Sequence, residues 1–111
     1  MHFLYIYYIE MILSISPSPL KTKRFKVEYR DKTGKIYIYH FGYKDAKNTY
    51  IDGASDAVRA NYLKRHMANP TERRLITEKI ASPALFSARL IWGKSRDINA
   101  NIRELNREWG H

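Results

Sequence analysis

The residues best equipped to do chemistry together are Asp52, Arg59, Tyr62, Arg65 and His66. A carboxylate, two guanidiniums, a phenol and an imidazole could hold a phosphate or move a proton. Ser55 is a good helix N-cap, with Asp56 in the first turn to complement the helix dipole. The helix it starts is predicted to run to about Ala68. Val58 and Tyr62 fall on one flank, and Leu63, Met67 and Ala60 on the other. Arg59 and His66 lie between them, in the apolar arc, and are expected to point inward. Inward polar groups must be hydrogen-bonded or paired. Asp52 is the expected carboxylate for Arg59 or His66, and Asp56 is also in reach of Arg59. No second acid, nucleophile or phosphate loop accompanies the group, so the expectation is a polar network fixing the loop on the helix. An enzyme built on Asp52, Arg59 and His66 would need them to converge in an open cleft.

A second group is basic. Lys21, Lys23, Arg24, Lys26, Arg30, Lys32 and Lys35 fall within 15 residues, against two acids. Basic strands with interleaved aromatics are one way to bind a nucleic-acid backbone. The preferred account puts the aromatics in the core and leaves the lysines to guard a sheet edge. The same cations remain candidates for contact with nucleic acid or an acidic protein. The net charge of +9 over 111 residues points the same way. Four scattered histidines and no cysteine give no metal-ligand spacing, and no metal or cofactor is expected.

These residues need elements to position them. Lys23 to Arg30 alternates, with Phe25, Val27 and Tyr29 on one face. Asp31-Lys32-Thr33-Gly34 is a turn, and Lys35 to Phe41 a second strand. A type I turn with a glycine bulge pairs Asp31 with Lys35. Tyr29 then opposes Tyr37, Val27 opposes Tyr39, and Phe25 opposes Phe41, all on one face. Thr49-Tyr50-Ile51 reads as a short extended piece in the following loop. Asn69-Pro70-Thr71-Glu72 has capping-box spacing and starts a second helix.

Ser82-Pro83 opens a third helix, over 83–92, whose apolar residues cover nearly its whole circumference. Its one charge, Arg89, needs a partner or a route to water. Gly93 suits a left-handed stop. Ser95 is the expected cap of a last helix, with Ile98, Ile102, Leu105 and Trp109 as its apolar stripe. Asn99, Asn101, Arg103, Glu104 and Arg107 make its other face.

Residues 1–15 form an apolar, aromatic N-terminal extension, and 16–111 one domain. The run 1–13 is too short to span a membrane and Glu10 interrupts it. It also lacks the basic start and cleavage pattern of a signal peptide. Its composition favours a strand that pairs with the sheet or docks on another subunit. Met11 is an alternative start. Ser14 to Pro19 is expected to be a stiff connector outside any ladder. The fold class is α+β: an N-terminal antiparallel β-hairpin, with a possible third strand, packed against about four short C-terminal helices.

Several segments together resemble a known family. They are Ser16-Pro17-Ser18-Pro19-Leu20-Lys21, Phe41-Gly42, Tyr50-Ile51-Asp52, Arg59-x-x-Tyr62-x-x-Arg65-His66-x-x-Asn69, and Pro83 to Ser87 with Ile91-Trp92-Gly93. In order and spacing they resemble small basic proteins of the nucleocytoplasmic large DNA viruses, over about residues 16–107. Relatives often carry histidine directly after Tyr-x-Asp, where this chain has Gly53. The resemblance implies a non-enzymatic structural or interaction protein of the virus particle, such as a minor capsid or internal virion component. Its partners would be other virion proteins, or viral DNA. It would reside in the virion, and in host-cell cytoplasm or the virus factory during assembly. The alternative function is sequence-nonspecific nucleic-acid binding through the basic hairpin.

Overall fold

The computed structural model describes residues 7–110. A three-stranded antiparallel sheet, β1 (Met11–Pro17), β2 (Lys23–Arg30) and β3 (Ile36–Tyr43), is followed by four helices. These are α1 (Asp56–Met67), α2 (Pro70–Thr77), α3 (Pro83–Phe86) and α4 (Ile98–Trp109). The α+β expectation holds, with the third strand present. Among the described residues no helix is long and apolar enough to cross a membrane.

The hairpin has the expected register. Tyr29 pairs with Tyr37, Val27 with Tyr39 and Phe25 with Phe41. Asp31 N–H bonds the Lys35 carbonyl at 2.9 Å, and Gly34 sits at φ +88°, where a side chain would be strained. The shared face carries the core. Val27 and Phe41 are fully buried, and Phe86 of α3 meets the rings of Tyr29, Tyr39 and Phe41 at 6.3, 5.4 and 5.7 Å. Burying a side chain such as Phe86 is worth about 1.5–3 kcal/mol.

The third strand begins inside the expected N-terminal run, at Met11, and continues beyond it to Pro17. Ser14 to Pro17 belongs to β1 and pairs with Glu28 to Phe25, so the connector expectation for this stretch is wrong. The expected boundary between residues 15 and 16 falls inside the strand. Prolines suit an edge strand, where a missing N–H breaks no ladder bond on the open side. Of the N-terminal aromatic run, residues 1–6 lie outside the described residues. Tyr8 N–H bonds the Lys32 carbonyl at 3.0 Å. Leu13 is an extra residue where the β1–β2 register shifts. The outer edge of β1 is capped at Ile12 by a side chain: Asn106 of α4 accepts from Ile12 N–H at 2.8 Å and donates to its carbonyl at 3.0 Å.

The buried stretch 83–92 is buried as expected, but it is not one regular helix. Ser82 caps it, accepting from Leu85 N–H, and Pro83 takes the first position. After Phe86 the coil widens into a five-residue π-helix, Ser87–Ile91, with Trp92 N–H on the Ser87 carbonyl. Leu85, Phe86, Ala88, Leu90 and Ile91 are buried, and Trp92 half-buried. Arg89 finds its partner in Glu108, which it grips with both guanidinium nitrogens. Gly93 is not the left-handed stop expected of it. It is needed for space, since a Cβ there would lie 2.6 Å from Asn101 Cγ.

Asn101 anchors the end of the widened turn. It is buried, not on the outer face of α4. Its amide donates to the carbonyls of Leu90 at 2.9 Å and Ser95 at 2.8 Å, and accepts from Ser95 N–H at 2.9 Å. A Leu90 carbonyl held by a side chain no longer needs a helical partner. The cap of α4 is Asp97, accepting from Asn99 N–H; Ser95 instead accepts from Asp97 N–H. Thr49-Tyr50-Ile51 is not extended, because Tyr50–Asp52 forms a 3-10 turn closed by Gly53 at φ +108°.

Candidate functional site

An open cleft of about 690 Å³ lies where β3, α1, α2 and the α3 π-turn meet. Its apolar floor includes Phe41, Leu75, Pro83 and Ile91. One wall is an aromatic stack from two elements. Tyr62 of α1 lies against Trp92, rings 4.2 Å apart and 8° from parallel. His66, one helical turn on, lies 4.2 Å from Tyr62. Burial pushes the Tyr62 phenol up to about 12.

The helix caps aim this wall. Ser55 caps α1 by accepting from Val58 N–H, as expected. Asn69 caps α2 by accepting from Thr71 and Glu72 N–H. The Glu72 carboxylate does not complete a capping box. It reaches back to His66 Nδ1 at 3.0 Å.

The expected network of Asp52, Arg59, Tyr62, Arg65 and His66 divides into three. Asp52 pairs with neither Arg59 nor His66. Arg24 of β2 takes it in a two-pronged ion pair, both bonds 2.7 Å, and Thr49 Oγ1 adds a third at 2.6 Å. The Arg24 hydrogen bonds hold the Asp52 carboxyl well below the usual carboxylate range. A planar fork fits a carboxylate, so the pair ties the loop to β2 and not to the helix.

Arg59 is scaffold. Its Nε donates to the carbonyls of Trp92 at 3.0 Å and Gly93 at 2.9 Å. Its guanidinium lies over Tyr50, which Arg96 also covers at 4.2 Å. Arg59 therefore presents Trp92 to the cleft without lining it. Tyr62, Arg65 and His66 do line it. Asp52, Arg59 and His66 each have a different partner, and the convergence an enzyme on these residues requires is not found. Neither Arg59 nor His66 sits in an apolar core, because α1 has no buried residue.

Of the hairpin cations, Lys23 and Arg24 line the cleft and the others do not. Lys23 lies over the Tyr43 ring at 5.4 Å. Lys26 and Arg30 share the outer sheet face with Glu28, Ile36, Ile38 and His40. Arg30 covers the Tyr8 ring at 5.0 Å. Lys35 covers Tyr37 at 4.8 Å, and Lys21 and Lys32 are exposed. The hairpin aromatics Phe25, Tyr29, Tyr37, Tyr39 and Phe41 face the core side and are not a stacking platform for bases. Among the described residues, no group of three or more histidine or acidic side chains could hold a metal ion.

Sequence reasoning missed Asn101, Asn106, Glu72 and Tyr43. Helical spacing held a signal for the first: Asn101 stands three residues after Ile98 and four before Leu105, on the apolar stripe. No curated protein and no solved structure matches this chain. Residues 13–66, from β1 through the Arg59–His66 run, are similar to a family described as a family of unknown function, DUF5754.

Proposed function

We propose that the protein is a non-enzymatic interaction module that binds an acidic protein surface through the cations of its sheet. One observation carries this. Among the described residues, Arg24 is the only hairpin cation in an ion pair, while four of the glutamates are engaged elsewhere. Glu108 holds Lys79 and Arg89, Glu72 holds His66, Glu78 holds Arg74 and Glu104 holds Arg107. Lys21, Lys26, Lys32 and Lys35 thus have no ion-pair partner and outnumber the nearby acids Glu28 and Asp31, as on a surface built to meet negative charge. The resemblance to small basic proteins of large DNA viruses supports placing the partner in a virus particle, as a capsid or internal virion protein.

Nucleic acid is the second candidate. The inward aromatics favour a phosphate-only contact over one that stacks bases. Binding of labelled poly-glutamate and of duplex DNA is measured between 50 and 200 mM salt, with Lys26→Glu/Lys35→Glu as control. The proposal expects saturable poly-glutamate binding that the double variant abolishes, with weak DNA binding. Stronger binding to DNA, with a steep salt slope, would transfer the assignment to nucleic acid. Mass spectrometry of fractionated particles then tests residence in the shell.

A further inference from the structure

We propose that the cleft beside Trp92 binds a small organic anion: an apolar body carrying one carboxylate or phosphate group. Its volume, about 690 Å³, lies in the range that accepts a ligand of drug size. The floor offers apolar contact from Phe41, Leu75 and Ile91, and the Tyr62–Trp92 stack offers a flat wall. The charges lining it are not balanced. Arg24 is neutralised by Asp52, and Glu72, hydrogen-bonded by His66, is the acid that lines the cleft. Lys23 and Arg65 also line the cleft, and among the described residues neither has an ion-pair partner; each lies over a tyrosine ring instead. A cation seated on a ring face loses little mobility on meeting an anion. Apolar floor, aromatic wall and cations in excess of acids together select an amphiphilic anion over a neutral or cationic ligand. The widened turn supports this, because it sets Trp92 at the rim, and such turns recur at functional sites. The site is separate from the outer-face cations that carry the proposed function.

The test uses 8-anilinonaphthalene-1-sulfonate on the full chain, followed by its fluorescence and by the two indole N–H signals in NMR. The Trp92 indole signal moves on saturation. The Trp109 signal stays, since Trp109 Nε1–H is bonded to the Lys79 carbonyl. Arg65→Gln and Lys23→Gln each weaken binding about three- to fivefold, as expected of partly exposed charge pairs. Arg103→Gln on α4 and the outer-face double variant leave it unchanged. Decanoate or phenyl phosphate displaces the dye, and which of them does so names the anionic group. Dye binding that leaves the Trp92 signal in place overturns the proposal. So does displacement by neither anion, or equal weakening by Arg103→Gln. These outcomes are independent of poly-glutamate binding, so each proposal can fail alone.

Discussion

Replacing Asn101 with alanine tests whether one buried amide holds the turn that sets Trp92 at the cleft. Three hydrogen bonds are lost, to Leu90 O, Ser95 O and Ser95 N–H. At about 1 kcal/mol net each, their sum is about 3 kcal/mol. Ser95 is half-buried, and water can replace its bonds in part. Leu90 is fully buried, so its carbonyl is left without a partner at the full desolvation cost. The two corrections oppose each other, and about 3 kcal/mol stands. For a chain of this size that is a fall of roughly 12–24 °C in Tm. Urea unfolding followed by far-UV circular dichroism measures the free energy, and the Trp92 indole resonance reports the local effect. Asn101→Asp is the sharper companion. It keeps the acceptor for Ser95 N–H but sets a carboxylate against two carbonyl oxygens, so it destabilises at least as much at neutral pH and less in acid. A loss below about 1 kcal/mol for Asn101→Ala, with the Trp92 resonance unmoved, would refute the clasp.

Other substitutions read other joints. Asp52→Asn breaks the Arg24 pair and is expected to cost about 1–2 kcal/mol at neutral pH, reduced from the buried value because both side chains are 18% exposed. The folded carboxyl titrates below its unfolded range, so its stabilisation is complete above about pH 4 and fades as pH falls through the folded value. The gap between Asp52→Asn and the parent should therefore close in acid denaturation curves. At the alkaline end, burial disfavours the charged phenol of Tyr62, so its contribution is intact below about pH 10 and lost as pH rises through about 12. Absorbance titration at 295 nm should show Tyr62→Phe removing a late-ionising group and leaving the amplitude near pH 10 unchanged. Gly34→Ala forces a side chain into positive φ, with its Cβ driven against the Tyr8 ring, and should cost about 1–2 kcal/mol in thermal unfolding. Phe86→Ala empties the centre of the aromatic cluster, with about 3–5 kcal/mol expected in urea.

Much of the sheet was legible in the chain. Period-two alternation over Phe25 to Tyr29, with the Asp31–Gly34 turn, is enough for the register, because a one-residue slip of β3 would turn Tyr37, Tyr39 and Phe41 out to water. Ser82-Pro83, Ser55 and Asn69 declare their helices by local capping chemistry. What stayed hidden depends on long-range partners. Ser14 to Pro17 reads as a linker because serine and proline disfavour strands in general, yet an edge position tolerates them. Gly93 reads as a helix stop, but its smallness answers to Asn101, which follows it by eight residues. Asp52, Arg59 and His66 read as one cluster because they are near in sequence. Their partners, Arg24, the Trp92 carbonyl and Glu72, come from three other elements. The cleft leaves no periodic trace, since Tyr43, Leu75, Pro83 and Trp92 converge only once the helices have packed.

Asn106 imitates a neighbouring strand at Ile12, offering one acceptor and one donor to the backbone there. The sheet is thus end-stopped on that side by its own last helix. A further strand approaching β1 would have to displace that side chain at Ile12, so the last helix of the chain hinders edge pairing at this point.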